Sequence, residues 1–433
     1  MNEDPGRSLP LPLSLPLARP GPFAVPDGYH RVRENPGLAT AELPGGALTW
    51  LVTRLEEARA ALAAPEFSTD RSDPAFPLPQ QRPRPAGAGP RPNLTPAERR
   101  FRARGASLIG MDPPDHTTAR RAVIGEFTAR PVQALRPRIQ QIVDERIAAL
   151  RAAGPPADLV SLLSLPVPSQ VICELLGVPY EQHEFFQSRS TALLTHRVPA
   201  EQRFEALGEL FRFLDELVTA QEESPGENLL GRQVVARGAA GDYDHRDLVS
   251  LAFLLLVAGH ETTASMISLG ALAVMAYEDD GAALRAADLR AAVTDPDRGP
   301  QAVEELLRYF SIADIGTGRF ALSDASIGGT TVRPDEGVIV SLLAANHDPA
   351  QFPDPDRLDP ARPDQGRGVR RHVAFGYGPH QCLGQSLARA ELDIVYRTLF
   401  TQLPGLRLAV PLDKLPVKDD GFVYGLYELP VTW

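Results

Sequence analysis

The segment from Phe375 to Gly384 constrains the fold of this chain most, because it delivers one cysteine to the start of a helical pattern. It reads Phe-Gly-Tyr-Gly-Pro-His-Gln-Cys-Leu-Gly, and its three glycines are expected to permit positive φ and a close approach of the backbone to a flat ligand. Apolar residues at helical spacing follow Cys382. Because a helix N-terminus offers free N–H groups and a positive dipole, we expect it to lower the pKa of the Cys382 thiol. The segment therefore predicts a sulfur that binds a metal as an anion.

A buried, inert thiol is the alternative, and it is the usual state of a lone intracellular cysteine. The complete spacing Phe-Gly-x-Gly-x-His-x-Cys-x-Gly fixes six positions in ten, and it resembles the haem-binding loop of the cytochrome P450 haem-thiolate monooxygenases. The resemblance runs from about residue 45 to Trp433. It implies the cytochrome P450 fold, mainly α with small β-sheets, in a single large domain with helix-rich and sheet-rich lobes. It also implies haem b as the cofactor, with Cys382 as the proximal ligand of the iron.

The other cysteine and the N-terminal composition bear on compartment and organisation. Cys173 lies in an apolar run far from Cys382, so we expect no disulfide and a reducing, cytoplasmic environment. Residues 1–45 are rich in proline and lack both a basic region and an uninterrupted apolar stretch. We expect them to wrap the surface of a catalytic domain at residues 46–433 and to provide no membrane anchor.

The most hydrophobic segment, Leu248 to Tyr277, exceeds the roughly 20 residues that span a bilayer. Because His260 and Glu261 lie near its middle, we interpret it as a buried central helix. Gly259, just before them, is expected to leave room for a flat ring and a bound diatomic molecule.

Charge and composition exclude one class of partner and indicate a source. The net charge of −11 disfavours a nucleic-acid partner. Lys414 and Lys418 are the only lysines, whereas arginine, alanine and 42 prolines are abundant. This bias is typical of GC-rich coding and indicates a high-GC bacterium such as an actinomycete.

A dense run of proline and arginine occupies residues 73–97 and is incompatible with a regular helix or a central strand. In the resembled family this region covers the distal face of the haem, so we interpret it as a mobile lid over the substrate pocket. An unstructured insertion is the alternative.

Four basic residues are candidates for holding the haem propionates. His116 and Arg120 are four residues apart and therefore share a helix face, as a solvated surface pair also would. In the family the matching His-x-x-x-Arg points at the propionates, and a planar guanidinium suits a carboxylate. The resemblance assigns further propionate contacts to Arg319, in a strand, and to His380, in the cysteine loop.

Glu261 and Thr262 are the candidates for catalytic proton delivery. An acid within an apolar helix is costly unless it is paired or used. The alternative for Thr262 is a hydroxyl bonded to the carbonyl one turn back. Since reduction of O₂ consumes protons, an acid beside an alcohol can relay them from solvent. The resemblance implies such a pair, with glutamate where many relatives have aspartate.

Glu305, Arg308 and Arg362 match the family's Glu-x-x-Arg and its third member. As an isolated surface pair, Glu305 and Arg308 would contribute little to stability. The resemblance implies that the three residues hold the scaffold around the cysteine and perform no chemistry.

With the resemblance, these residues predict a monooxygenase that inserts one oxygen atom from O₂ into a bulky hydrophobic substrate, as in the tailoring of a macrolide, polyketide or terpenoid. Electrons are expected from NAD(P)H through a separate ferredoxin and its reductase, because the chain has neither a flavin domain nor a cysteine-rich cluster site. The protein is expected to be a monomer. A peroxide-driven haem-thiolate enzyme and a non-catalytic haem-based sensor are the alternatives, and the Glu261–Thr262 pair disfavours both.

An acidic ferredoxin is expected to dock on the cysteine side of the haem, near Arg121, Arg370, Arg371 and Arg389. A local basic patch can steer an acidic partner even when the protein as a whole is acidic. The alternative is that these arginines are solvated or paired within the chain.

Overall fold

The computed structural model describes residues 12–43, 46–77, 108–194, 198–277, 286–315, 317–362, 372–418 and 423–433. Most of the segment predicted as a lid lies outside the described residues, which include only positions 73–77 of it. Arg370 and Arg371, two of the four expected docking residues, also lie outside them.

Helices form most of the described chain. They are α1 (Asp27–Arg33), α2 (Leu55–Ala63), α3 (Asp115–Val123), α4 (Ala129–Ala153), α5 (Pro166–Leu176), α6 (His183–Leu194), α7 (Ala200–Glu223), α8 (Leu229–Ala240), α9 (His245–Ala276), α10 (Ala286–Thr294), α11 (Gly299–Phe310), α12 (Leu342–Asn346) and α13 (Gln385–Gln402).

The strands of the described residues form small sheets. They are β1 (Leu13–Ser14), β2 (Ala39–Glu42), β3 (Leu48–Val52), β4 (Phe67–Ser68), β5 (Ala157–Asp158), β6 (Thr317–Ala321), β7 (Ala325–Ile327), β8 (Thr330–Val332), β9 (Gly337–Val340), β10 (Arg407–Leu408), β11 (Val417–Lys418), β12 (Gly425–Leu426) and β13 (Pro430–Thr432). The largest sheet has the order β1-β2-β3-β9-β6-β4, and the others are β10-β13-β5, β11-β12 and β7-β8. In the largest sheet, β1–β2 and β3–β9 are parallel pairs and the remaining neighbours are antiparallel.

The centre of the largest sheet is buried on both faces, because alternate residues of its strands enter two different apolar clusters. Trp50 of β3 packs with Val338 and Val340 of β9 on one face, whereas Leu51 packs with Ile339 on the other. The helices share a third and larger buried cluster. The predicted fold, mainly α with small sheets in helix-rich and sheet-rich lobes, is confirmed.

The described part of the N-terminal segment adds to the largest sheet. β1 and β2 extend this sheet beyond β3, and Tyr29 of α1 is fully buried in one of its apolar clusters. The predicted division between residues 1–45 and a catalytic domain at 46–433 stays a prediction.

α9 is the central helix of the fold. Its 32 residues correspond to about 48 Å, and it packs against α5, α7, α10 and α13. Every residue from Thr263 to Val274 is buried. By length and composition α9 could cross a membrane, but most of its apolar stretch is buried inside the fold. The prediction of a buried central helix is confirmed.

Tyr396 locks α13, the helix that follows the cysteine, against α9. Tyr396 is fully buried, and its hydroxyl donates to the Met266 carbonyl at 2.5 Å. A Cβ atom at Gly270 would lie 2.1 Å from that hydroxyl, so glycine is required for this close approach. The helix behind the cysteine is therefore fixed relative to the helix that crosses the molecule.

Glu305, Arg308 and Arg362 form a buried charge network, as predicted. Glu305 and Arg308 are fully buried, and Arg308 donates through Nε and Nη2 to the two carboxylate oxygens, each at 2.8 Å. Arg362 donates to the same carboxylate at 3.1 Å. The two arginines also donate to backbone carbonyls, those of Asn346, Pro353, Asp354, Pro355 and Arg357. The network thus ties α11 to the chain that follows α12.

Arg308→Met is expected to destabilise the protein by about 3–5 kcal/mol, because it removes a charge partner of the buried Glu305 carboxylate. Arg59→Met is the matched control, since Arg59 and Glu56 form a Glu-x-x-Arg pair on α2 whose side chains are 19% and 60% exposed. The control should cost less than about 1 kcal/mol. Urea titration measures both free energies of unfolding, and equal losses would contradict the role assigned to the network.

Candidate functional site

The loop before α13 is shaped by two glycines in the left-handed region. Gly376 has a φ of 70° and Gly378 of 71°, and a Cβ atom at Gly378 would lie 2.9 Å from a backbone carbonyl of α2. The Cys382 N–H donates to the Phe375 carbonyl at 2.8 Å, which closes the loop. The third glycine, Gly384, has a φ of −84° and caps the N-terminus of α13. The positive φ expected there was therefore wrong.

The Cys382 side chain is partly buried just before α13. Burial raises the pKa of this thiol, while the Gly384 N–H and the guanidinium groups of Arg120 and Arg389 act to lower it. Burial dominates, so the net lowering expected from the helix terminus was wrong. A coordinated metal ion deprotonates a thiol outright. Metal binding is thus the condition that makes this sulfur an anion.

Cys173 has a different environment. It is fully buried on α5 in the helix cluster, and burial beside Glu174 raises the pKa of its thiol. Both cysteines are free thiols. Cys382 is therefore the cysteine suited to bind a ligand.

Four basic side chains predicted from the sequence lie together beside the loop, and we call them the basic cluster. The imidazole rings of His116 and His380 have centroids 3.9 Å apart. Arg120 donates to the Gln381 carbonyl at 2.6 Å, and Arg319 donates to the carbonyl of the preceding residue at 2.7 Å. The charges of His116, Arg319 and Arg120 all act on His380, which places the four groups in one site.

The basic cluster is buried in a way that favours an anionic ligand. His116 is 1% exposed, and neither of its ring nitrogens has a hydrogen-bond partner. Burial, followed by the charges of His116 and the two arginines, lowers the pKa of His380 to about 3. Burial also lowers the pKa of Arg319 to about 10, against the attraction of Asp112. Because buried donors are costly unless they are paired, the basic cluster fits the carboxylate groups of a ligand, such as the haem propionates.

A cavity of about 80 Å³ opens beside the basic cluster. It is lined by Leu62, Thr69, Arg71, Phe76, Ile109, Thr317, Gly318, Arg319, Gly376, Tyr377 and His380. Thr69 Oγ1 lies 3.4 Å from His380 Nε2. Thr69 and Arg71 were not predicted from the sequence, because they belong to no spaced motif and reach the cluster only through folding. The lining combines apolar walls with basic groups, so it fits a flat apolar ligand with acidic substituents, as haem b is.

The middle of α9 leaves one face open, which we define by Leu254, Ala258 and Thr262. These three residues are not buried, and their spacing of four places them in one row along the helix. Gly259 lies off this row, where an added Cβ atom would be 3.3 Å from Ile172 of α5. The expectation that Gly259 makes room for a ligand stays a prediction.

Glu261 and Thr262 are adjacent but have different partners. The Thr262 hydroxyl donates to the Ala258 carbonyl at 2.8 Å, which is the bond within the helix that was considered as the alternative. Glu261 is 6% exposed and forms an ion pair with Lys418 of β11. Lys418 was not predicted as a site residue. The chain has only two lysines, and this rarity could have marked Lys418 as a candidate. The proton-delivery role of Glu261 and Thr262 stays a prediction.

Arg389 is paired within the chain. It forms an ion pair with Glu304, whose carboxylate also lies 3.1 Å from His372 Nε2, and its guanidinium lies 4.5 Å from the centre of the Phe375 ring. Burial alone would raise the pKa of Glu304, but the hydrogen bonds from His372 and Arg389 lower it to about 2. Pairing within the chain, the alternative considered for Arg389, is therefore observed, and this side chain anchors the cysteine loop. Its docking role stays a prediction. Arg121 is exposed on α3.

Comparisons with known proteins agree with the fold and give the family that this chain resembles. The cytochrome P450 family model matches residues 198–404. The chain is 44% identical to pentalenic acid synthase of Streptomyces avermitilis, over 99% of this chain and 100% of the relative. The structure of cytochrome P450 MoxA from Nonomuraea recticatena is 49% identical with a TM-score of 0.85, over 97% of this chain and 98% of that one. The structure of mycinamicin VIII C21 methyl hydroxylase from Micromonospora griseorubida, bound to mycinamicin VIII, is 38% identical with a TM-score of 0.82, over 97% and 100%.

Cys382→Ser is expected to abolish the spectral signature of thiolate ligation, because a serine oxygen does not supply the sulfur donor on which that signature depends. The measurement is the absorption spectrum of the ferrous carbon monoxide complex. Cys173→Ala is the control and should keep the parent spectrum. A thiolate-type spectrum in Cys382→Ser would contradict the assignment of the iron ligand.

Proposed function

The chain belongs to the cytochrome P450 family, and we propose that it inserts one oxygen atom from O₂ into a bulky hydrophobic secondary metabolite. It is a monooxygenase that uses haem iron, a small-molecule substrate and electrons from a redox partner. Bound haem supplies the iron at which O₂ is reduced. The chain supplies the thiolate, the pocket and the protons.

Cys382 would hold the iron, and the basic cluster would hold the propionates. The backbone hydrogen bond of Cys382 to Phe375 fixes the sulfur at the start of α13, and Arg389 stacks on the Phe375 ring of the same loop. The unpartnered His116 ring and the buried Arg319 guanidinium gain hydrogen bonds when carboxylates arrive. Arg71 lines the same cavity and would add a further cation.

The open face of α9 would form one wall of the substrate pocket, and it is the observation that carries the proposed substrate class. Leu254 and Ala258 present apolar surface there while the rest of α9 is largely buried. Ligand pockets are mostly apolar concavities with few polar groups. One similar structure holds mycinamicin VIII, and one relative is named a pentalenic acid synthase. A macrolide, polyketide or terpenoid is therefore the proposed substrate.

Titration of the ferric haem protein with a panel of compounds tests the substrate class. Macrolides, polyketides and terpenoids should shift the Soret band, and small polar molecules should not. Ala258→Phe should weaken binding of the bulky ligands roughly tenfold, because it fills the open face. Val235→Phe adds similar bulk at an exposed position of α8 and should leave binding unchanged. Binding of small polar molecules alone would contradict the proposal.

Glu261 and Thr262 would deliver protons toward the pocket. Thr262 lies in the open face, and its hydroxyl is bonded to the Ala258 carbonyl. That hydroxyl can exchange this bond for a bond to a ligand without moving the backbone. Glu261 is the acid next to it in sequence, and the ion pair with Lys418 gives this buried carboxylate a partner within the apolar helix.

Thr262→Ala is expected to lower the product formed per NAD(P)H consumed, because electrons then leave as hydrogen peroxide or water. Haem content and substrate binding should stay close to those of the parent. Thr262→Ser keeps the hydroxyl and is the control that should retain coupling. An unchanged ratio in Thr262→Ala would argue against the hydroxyl as part of the relay.

NAD(P)H, a ferredoxin reductase and an acidic ferredoxin are the proposed electron source. Among the arginines proposed to form the docking face, Arg121 on α3 lies in the described part of the chain and is exposed. Reduction of the ferric protein should be fastest with an acidic ferredoxin and should slow as salt rises. If hydrogen peroxide alone supported product formation as fast as NAD(P)H with ferredoxin and its reductase, the peroxide-driven alternative would be favoured.

We also propose that the protein is a monomer and that it works in the cytoplasm. Size-exclusion chromatography tests the first statement, and cell fractionation tests the second.

A further inference from the structure

The two lysines of this chain lie four residues apart in opposite environments. The Lys414 side chain is 71% exposed and lies 3.4 Å from the equally exposed Asp413. The Lys418 side chain is 12% exposed, and its ammonium is paired with Glu261, whose side chain is 9% exposed. Lys418 is thus a buried cation in contact with the acid of the proposed relay.

The hairpin that carries Lys418 packs closely on α9. Lys418 of β11 is opposite Gly425 of β12. A Cβ atom at Gly425 would lie 2.5 Å from the Ser265 hydroxyl, and Ser265 follows Glu261 by one helical turn. The hairpin backbone therefore contacts α9 beside the ion pair, so the pair does not depend on a freely moving side chain.

The Lys418 ammonium has a second contact, which is made by the Tyr427 ring just after β12. Its Nζ atom lies 5.0 Å from the centre of the Tyr427 ring, within the range of a cation–π contact. The Tyr427 N–H donates to the Pro416 carbonyl at 2.9 Å, which holds that ring beside β11. The ammonium is thus fixed by the ring and by the carboxylate.

Lys418 is the cation that the structure places against the Glu261 carboxylate. The neighbouring His260 is fully buried, its Nε2 lies 3.2 Å from the Leu165 carbonyl, and burial lowers the pKa of its imidazole. His260 is therefore neutral and supplies no positive charge. A buried carboxylate without a cation is costly and favours its neutral form.

We propose that Lys418 is a positioning residue for Glu261. The ion pair holds the carboxyl in a fixed place on α9, next in sequence to Thr262, where it can take up a proton from solvent. That proton leaves from the same carboxyl toward Thr262, and the Lys418 ammonium keeps its own protons throughout. This inference rests on the proposed role of Glu261 in proton delivery.

Amine acylation followed by mass spectrometry tests the contact itself, with Lys414 as the control in the same chain. Lys414 should react at least about tenfold faster than Lys418 in the parent protein, since buried groups react only through local opening. Glu261→Gln should speed the reaction of Lys418 and leave that of Lys414 unchanged. Equal reactivity of the two lysines in the parent would overturn the proposal.

Urea unfolding of Lys418→Gln, Glu261→Gln and the double variant tests whether the two residues act as a pair. Lys418→Gln should lower the unfolding midpoint more at pH 8 than at pH 5, because an unpartnered acid takes up a proton more easily at lower pH. The double variant should lose less than the sum of the single losses. Lys414→Gln should leave the midpoint unchanged. Additive losses in the double variant would overturn the pairing.

Coupling of electrons to product tests the positioning role. Lys418→Gln should lower product per NAD(P)H, Lys418→Arg should restore most of it, and Lys418→Gln should add nothing in a Glu261→Gln background. If Glu261→Gln loses coupling and Lys418→Gln does not, this inference fails while the proposed relay stands. If neither substitution changes coupling, the relay role of Glu261 fails and this inference fails with it.

Discussion

The position of the Cys382 sulfur depends on one backbone hydrogen bond, the one from its N–H to the Phe375 carbonyl. This bond closes a loop whose two left-handed glycines, Gly376 and Gly378, allow it to turn against α2. On one side the loop leads directly into α13, which Tyr396 locks to α9. On the other side Arg389 and Glu304 hold the Phe375 ring and the chain before it. The sulfur therefore has a fixed place relative to the helix that carries Glu261 and Thr262.

The buried charged groups of the site differ in how far partners within the chain satisfy them. Glu305 and its two arginines satisfy one another and the surrounding carbonyls, so they stabilise the scaffold and have no capacity left for a ligand. The basic cluster is the reverse, because the His116 ring is buried without partners and Arg319 donates to a single carbonyl. Glu261 is intermediate in the number of its partners, since it pairs with one cation. That cation, Lys418, comes from a hairpin distant in sequence. The Glu305 network is thus suited to support the scaffold, and the basic cluster is suited to bind a ligand. Glu261 is a group whose single partner can be exchanged.

The sequence predicted those features that local spacing determines. The turn of the cysteine loop and the central helix follow from local sequence. The Glu305 network and the meeting of His116 with His380 were predicted from the family resemblance that short motifs carry. Features that depend on tertiary packing were missed or wrong. The partners Lys418 and Glu261 are 157 residues apart, and Arg389 with Glu304 are 85 apart, so no spacing links them. The pKa of Cys382 is set mainly by burial, which the dipole argument from the helix terminus did not include.

X-ray absorption at the iron edge of the purified ferric protein tests the central claim most directly, because it identifies the atoms bound to the metal whatever the substrate or redox partner. The account predicts one sulfur neighbour in addition to the porphyrin nitrogens, and loss of that sulfur in Cys382→Ser. A first coordination shell that holds only nitrogen and oxygen in the parent protein would contradict it.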